Sequence, residues 1–197
     1  MDLYLCKNIA QREDAYALLT YAVCHRWGLT ALPKLDRTPL GKPVFPAHPD
    51  LHFNLSHSGR FALCALDEQP VGVDIECIRP HHPKLAQRIC SPKELVWLEN
   101  QNNTLSALCQ LWTGKEALAK YRGTGLSTPL RDLCPPLPPA DEQDGLLFHR
   151  ITTADYALCV CGHPPAAPLL TLSLEEISHE NLTPTAENDS ILFNEVL

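Results

Sequence analysis

No stretch of this chain approaches the roughly 18 consecutive apolar residues that a membrane-spanning helix requires. Its first residues, Met1 to Asn8, place an acid at position 2 and too short an apolar run for a secretory leader. A basic surplus is lacking too: 16 Lys and Arg stand against 23 Asp and Glu, a formal charge of −7. Six of those acids (Glu175, Glu176, Glu180, Glu187, Asp189 and Glu195) fall in 175–197, where there is no Lys or Arg, so residues 1–174 hold 17 acids against 16 bases. Neither part offers the cations that a nucleic-acid binder needs to neutralise phosphates, and no nucleic-acid partner is expected. No Cys pair has zinc-ligand spacing, and most of the nine cysteines sit in apolar runs (Cys24, Cys64, Cys109, Cys159, Cys161), as expected of reduced, buried thiols in a cytoplasmic protein. What is present is a globular composition: 197 residues, 45% hydrophobic and 20% charged, enough for one ordinary domain or two small ones.

Apolar periodicity and punctuation give the organisation. Residues 2–6 read as a strand, and residues 11–28 as a helix on the spacing of Ala15, Leu18, Leu19, Ala22 and Val23, with Gly28 as its stop. The Pro-rich 33–50 reads as a surface loop. Phe61–Leu66 and Val71–Cys77 read as strands joined by Asp67-Glu68-Gln69-Pro70, a spacing that suits a hairpin. Ser91-Pro92-Lys93-Glu94 is a capping box that starts a helix, and a second helix is expected over 104–121, ahead of Gly123 and Gly125. Strand signals return at 146–151, 155–161 and 168–174. Phe61-Ala-Leu-Cys-Ala-Leu66 is echoed by Tyr156-Ala-Leu-Cys-Val-Cys161, which hints at two similar subdomains.

Four constellations could carry chemistry. In Val71-Gly-Val-Asp-Ile-Glu76, a strand would turn Asp74 and Glu76 to one face. Such a pair is either a solvated strand face or a hard-cation site, since Mg²⁺ takes one or two carboxylates and keeps water or phosphate elsewhere. In Trp112-Thr-Gly-Lys-Glu-Ala-Leu-Ala-Lys120, Trp112, Glu116 and Lys120 form one i,i+4 row. That row is either a wet Glu–Lys pair or a functional border between buried and exposed faces. Phe53-Asn-Leu-Ser-His-Ser-Gly59 clusters small polar groups around His57, which suits either a turn or a phosphate contact through Ser56 and His57. A Ser-His hydrolase is disfavoured because adjacent extended residues point apart and no G-x-S-x-G elbow exists. The fourth is Lys42, a loop lysine in Gly41-Lys42-Pro43. Together they supply what a divalent metal and a pyrophosphate need.

In that order the motifs resemble the 4′-phosphopantetheinyl transferases, nearest to the monomeric type that activates surfactin synthetase and related carrier proteins. The likeness runs from about residue 12 to residue 177. It implies an α+β fold of two similar α/β halves related by a pseudo-twofold, with the active site in the cleft between them. The chain then divides into an N-terminal half (1–90), a C-terminal half (91–177) and an acidic tail (178–197). It implies a monomer that moves 4′-phosphopantetheine from coenzyme A to a serine of an apo acyl or peptidyl carrier protein and releases 3′,5′-ADP.

Position by position, the resemblance makes Asp74, Glu76 and Glu116 Mg²⁺ ligands. Glu116 is also the catalytic base, and Lys120 the catalytic cation on the leaving phosphate. Lys42, Ser56, His57, Lys115 and Lys120 match residues that hold coenzyme A. Longer relatives add N-terminal basic groups for its 3′-phosphate, for which Lys7 and Arg12 are poor substitutes here. Arg79, Lys84 and Arg88, with Leu85 and Ile89 alongside, form a basic stretch suited to an acidic carrier protein. The alternatives left open are a carrier-binding protein without catalysis and a metal-dependent coenzyme A phosphohydrolase.

Overall fold

A computed structural model describes residues 1–80 and 84–179. The first strand, β1 (Asp2–Lys7), leads into α1 (Asp14–Trp27), then a proline-rich crossing that holds the two-residue strands β2 (Asp36–Arg37) and β3 (Pro43–Val44). There follow β4 (His52–Ser58), β5 (Phe61–Asp67) and β6 (Gly72–Cys77), then α2 (Leu85–Ile89), α3 (Pro92–Glu99) and α4 (Thr104–Arg122). The described part closes with β7 (Glu142–Gln143), β8 (Leu146–Thr152), β9 (Tyr156–Gly162), β10 (Leu169–Ser173) and α5 (Leu174–His179). The expected α+β class stands. No helix of the described residues is long and apolar enough to cross a membrane.

Two four-stranded sheets carry the architecture, in the orders β10-β1-β5-β4 and β6-β9-β8-β7. The β1–β10 pair is parallel, and the other ladders of these sheets are antiparallel. The sheets pack face to face through Leu3, Leu5, Phe61, Leu63 and Ala65 on one side and Val71, Val73, Ile75, Leu158 and Val160 on the other. The opposite face of the first sheet (Tyr4, Ala62, Cys64, Leu66) lies under Leu18, Leu19, Ala22 and Val23 of α1. The opposite face of the second (Cys159, Cys161, Phe148) lies under Ala117 and Leu118 of α4. The echoed segments are therefore β5 and β9, two inner strands buried on both faces, which explains their continuous rather than alternating apolar character.

The helix ends follow local chemistry. Asp14 accepts the amides of Ala10 and Gln11 ahead of α1, and Gly28 ends it at φ 65°, a left-handed conformation that costs glycine nothing. The Ser91 hydroxyl accepts the Glu94 amide while the Glu94 carboxylate accepts the Ser91 amide, so the capping box forms as read.

One expectation changes. Phe61–Leu66 and Val71–Cys77 do not form a hairpin: β5 pairs with β1 and β4, whereas β6 crosses to the second sheet and pairs with β9. The hairpin is β4–β5, closed by Gly59 (φ 55°) and Arg60. The segment 53–59 thus contributes a strand where a turn was one of the readings. β6 lies in the sheet of β8 and β9, and β10 lies beside β1. Residues 180–197 of the acidic tail lie outside the described residues, and Ile177 of α5 is buried in the core beneath α1.

Candidate active site

The site starts with the strand alternation of β6. Val73 and Ile75 point into the apolar layer between the sheets, so Gly72, Asp74 and Glu76 face the other way, toward α4. Gly72 is what lets α4 come this close: a Cβ there would collide with the Ala117 carbonyl oxygen and the Tyr121 amide. A glycine inside a strand marks such a backbone approach. With α4 lying directly on β6, the row Trp112, Glu116 and Lys120 lines the same cleft as Asp74 and Glu76.

A tight polar cluster results. Lys120 Nζ lies 2.8 Å from Asp74 Oδ1 and donates to Ser56 Oγ at 3.1 Å. The Ser56 hydroxyl donates to Asp74 Oδ1 at 2.8 Å. Asp74 Oδ2 is buried without a hydrogen-bond partner. Burial, then the charge of Asp74, pushes the Glu116 carboxyl above its ordinary pKa, with Lys120 opposing. Glu76 is held by Arg79 at 3.4 Å.

Around this cluster runs a cleft of about 780 Å³. Acids Asp74, Glu76 and Glu116 share it with the bases Arg12, Arg37, Lys42, His57 and Lys120. Lys42 reaches across to the main chain, donating to Val71 O at 3.1 Å and Tyr121 O at 3.3 Å, and burial lowers its pKa to about 8. His57 is exposed at the cleft wall. Arg12, set aside in the sequence as a poor anion ligand, lines the cleft. So does Arg37, which sequence reasoning missed because nothing local distinguishes it from any loop arginine.

Lys115 is corrected. Its ammonium points away from the cleft, is fully buried, and donates to the carbonyls of Leu130 (3.0 Å) and Leu133 (2.6 Å) beside Glu94. It cannot reach a ligand in the cleft. Ile89 is corrected as a surface contact as well, because it is buried among Cys90, Leu98 and Leu111. Arg79, Lys84 and Arg88 are exposed and Leu85 is half-buried.

The three carboxylates read as metal ligands share the cleft, but among the described residues no group of three or more His, Cys, Asp or Glu is arranged to hold a metal ion. The donor chemistry still fits Mg²⁺. That ion needs only one or two carboxylates when water and substrate phosphate complete its shell, and Asp74 offers a buried oxygen without a partner beside Glu116.

Comparisons with known proteins point to one family. Residues 70–163, which include β6 and α4, match the family model of the 4′-phosphopantetheinyl transferase superfamily. The chain is 37% identical over 134 residues to the 4′-phosphopantetheinyl transferase Sfp of Bacillus subtilis (strain 168), a match covering 64% of this chain and 60% of that protein. It is 40% identical over 92 residues to the 4′-phosphopantetheinyl transferase gsp of Aneurinibacillus migulanus (46% and 38% covered). It is 43% identical over 100 residues to the 4′-phosphopantetheinyl transferase AcpT of Salmonella typhi (48% and 52% covered). The chain spans about three fifths or less of the length of these relatives, and the resemblance read from the sequence stands.

Proposed function

We propose that the protein transfers 4′-phosphopantetheine from coenzyme A to a serine hydroxyl of an apo acyl or peptidyl carrier protein, releasing 3′,5′-ADP. The observation that carries this reading is the Asp74–Ser56–Lys120 cluster beside Glu116, in a cleft large enough for an extended nucleotide-bearing ligand. The similarity to named transferases supports it.

In this reading Asp74 and Glu116, with Glu76 next to them, hold Mg²⁺. When bound, the ion draws charge from the pyrophosphate and makes its β-phosphorus more open to attack. Glu116 takes the proton from the carrier serine. The serine oxygen then bonds to the β-phosphorus as the bond to the 3′,5′-ADP oxygen breaks, and Lys120 neutralises the charge left on that oxygen. Lys42, Ser56 and His57, joined by Arg12 and Arg37, orient the phosphates of coenzyme A. Arg79, Lys84, Leu85 and Arg88 meet the acidic carrier.

The same reading takes the two sheets, each with its long helix, as similar halves related by a pseudo-twofold, and the protein as a cytoplasmic monomer. It takes residues 1–90 as the N-terminal half and 91–177 as the C-terminal half, followed by the acidic tail (178–197).

Following 3′,5′-ADP release chromatographically from coenzyme A and Mg²⁺, with and without an apo carrier, tests the reaction class. Release that depends on the carrier supports transfer. Release without it replaces transfer with hydrolysis, and none in either case leaves a docking protein.

A further inference from the structure

The acid-bearing strand β6 is an edge strand of its sheet: β9 pairs it on one side, and among the described residues no strand of that sheet lies on the other. Strand geometry turns alternate amides outward, and buried amides need acceptors. For Val73, Ile75 and Cys77 those acceptors are side chains of β4, the edge strand of the other sheet. Asn54 Oδ1 accepts from the Val73 amide at 2.8 Å, Ser56 Oγ from the Ile75 amide at 3.4 Å, and Ser58 Oγ from the Cys77 amide at 3.1 Å. The Cys77 thiol returns a bond to the Ser58 carbonyl at 3.2 Å. Each acceptor lies 19 residues before its donor, and each is more than nine-tenths buried. The acceptors alternate along β4 with Phe53 and Leu55, which pack on the α1 side.

We propose that Asn54 and Ser58 are positioning residues: with Ser56 they form a polar seam that fixes β6 against β4 and so sets where Asp74 and Glu76 stand relative to Ser56 and His57. Asp74 is referenced to β4 twice. Its carboxylate accepts from Ser56, and the amides on either side of it, Val73 and Ile75, are held by Asn54 and Ser56. A slip of one residue would replace the three polar acceptors with Phe53, Leu55 and His57, so the seam excludes that slip. The seam rests on geometry alone, whereas its effect on metal binding rests on the transferase reading.

The test uses Asn54→Ala, Ser58→Ala and Ser58→Thr in the full chain. Amide hydrogen exchange should quicken about tenfold or more at Val73 in Asn54→Ala and at Cys77 in Ser58→Ala, while Leu63 in β5 stays protected. Ser58→Thr keeps the hydroxyl and should restore protection. Mg²⁺ affinity in the presence of coenzyme A, measured calorimetrically, should fall about tenfold in both alanine variants. A purely structural role would lower the melting temperature and leave that affinity unchanged in the folded protein. Unchanged exchange at Val73 and Cys77 would overturn the seam, and faster exchange with unchanged Mg²⁺ affinity would overturn the positioning role. Wild-type protein that neither bound Mg²⁺ nor transferred phosphopantetheine would sink the transferase reading and with it the metal-positioning role, while the exchange rates would still decide the seam.

Discussion

Lys115 and Glu94 form an ion pair in the protein interior, 2.8 Å from Nζ to Oε1, with the ammonium fully shielded and the carboxylate 3% exposed. Although Lys115 precedes Glu116 in sequence, it clamps the rear of α4 to the start of α3 and to the carbonyls of Leu130 and Leu133. Removing one partner strands a buried charge. Lys115→Ala should therefore cost about 3–5 kcal/mol in urea unfolding, with the KM for coenzyme A little changed well below the melting temperature. Lys115→Met, which also strands Glu94 but keeps the packing, should cost less. A raised KM in an otherwise stable Lys115→Ala protein would return Lys115 to the ligand site.

Gly72 clamps the front of the same helix. Gly72→Ala should destabilise the fold by about 3 kcal/mol, because the methyl meets the backbone of Ala117 and Tyr121, which has no rotamer in which to yield. Transfer should be lost with it, since α4 must lift off Asp74. Denaturant midpoints and turnover on the same sample check both.

Burial lowers the Lys42 pKa from 10.5 to about 8. Between those values the unfolded chain binds more protons than the folded one, so this residue's contribution to stability rises with pH over that window and is least below it. The difference in unfolding free energy between wild type and Lys42→Met should climb from about pH 8 to 10.5 in favour of wild type. A flat difference would contradict a buried ammonium at this position.

Asp74→Ala should abolish transfer with the fold intact. Glu116→Gln should lower kcat by roughly 10²–10⁴ if the carboxylate takes the serine proton. Lys120→Ala should lower kcat with a smaller effect on coenzyme A binding. Single-turnover transfer alongside circular dichroism separates lost chemistry from lost structure, and wild-type rates in Asp74→Ala would refute the metal assignment.

Much of this was legible because it is local. The α1 stripe, the Ser91 capping box and the Gly123 stop of α4 are written in neighbouring residues, and strand alternation alone puts Asp74 and Glu76 on one face. What escaped depends on partners far along the chain. In β4, Phe53 and Leu55 alternate with Asn54, Ser56 and Ser58 in a strand period, but the polar residues resemble a turn until the amides of β6 are set beside them. Lys115 was matched to a coenzyme A contact by resemblance, because Glu94, which neutralises it, belongs to another helix and no local signal pairs the two. Gly72 carried a usable signal, a glycine inside a strand next to the acidic motif.

The most direct measurement is the intact mass of an apo carrier protein incubated with this protein, coenzyme A and Mg²⁺, beside samples with EDTA and with Glu116→Gln. The account predicts a gain of one phosphopantetheine on the carrier, lost with EDTA and strongly slowed in the variant. An unmodified carrier, from folded protein that still binds coenzyme A, would contradict it.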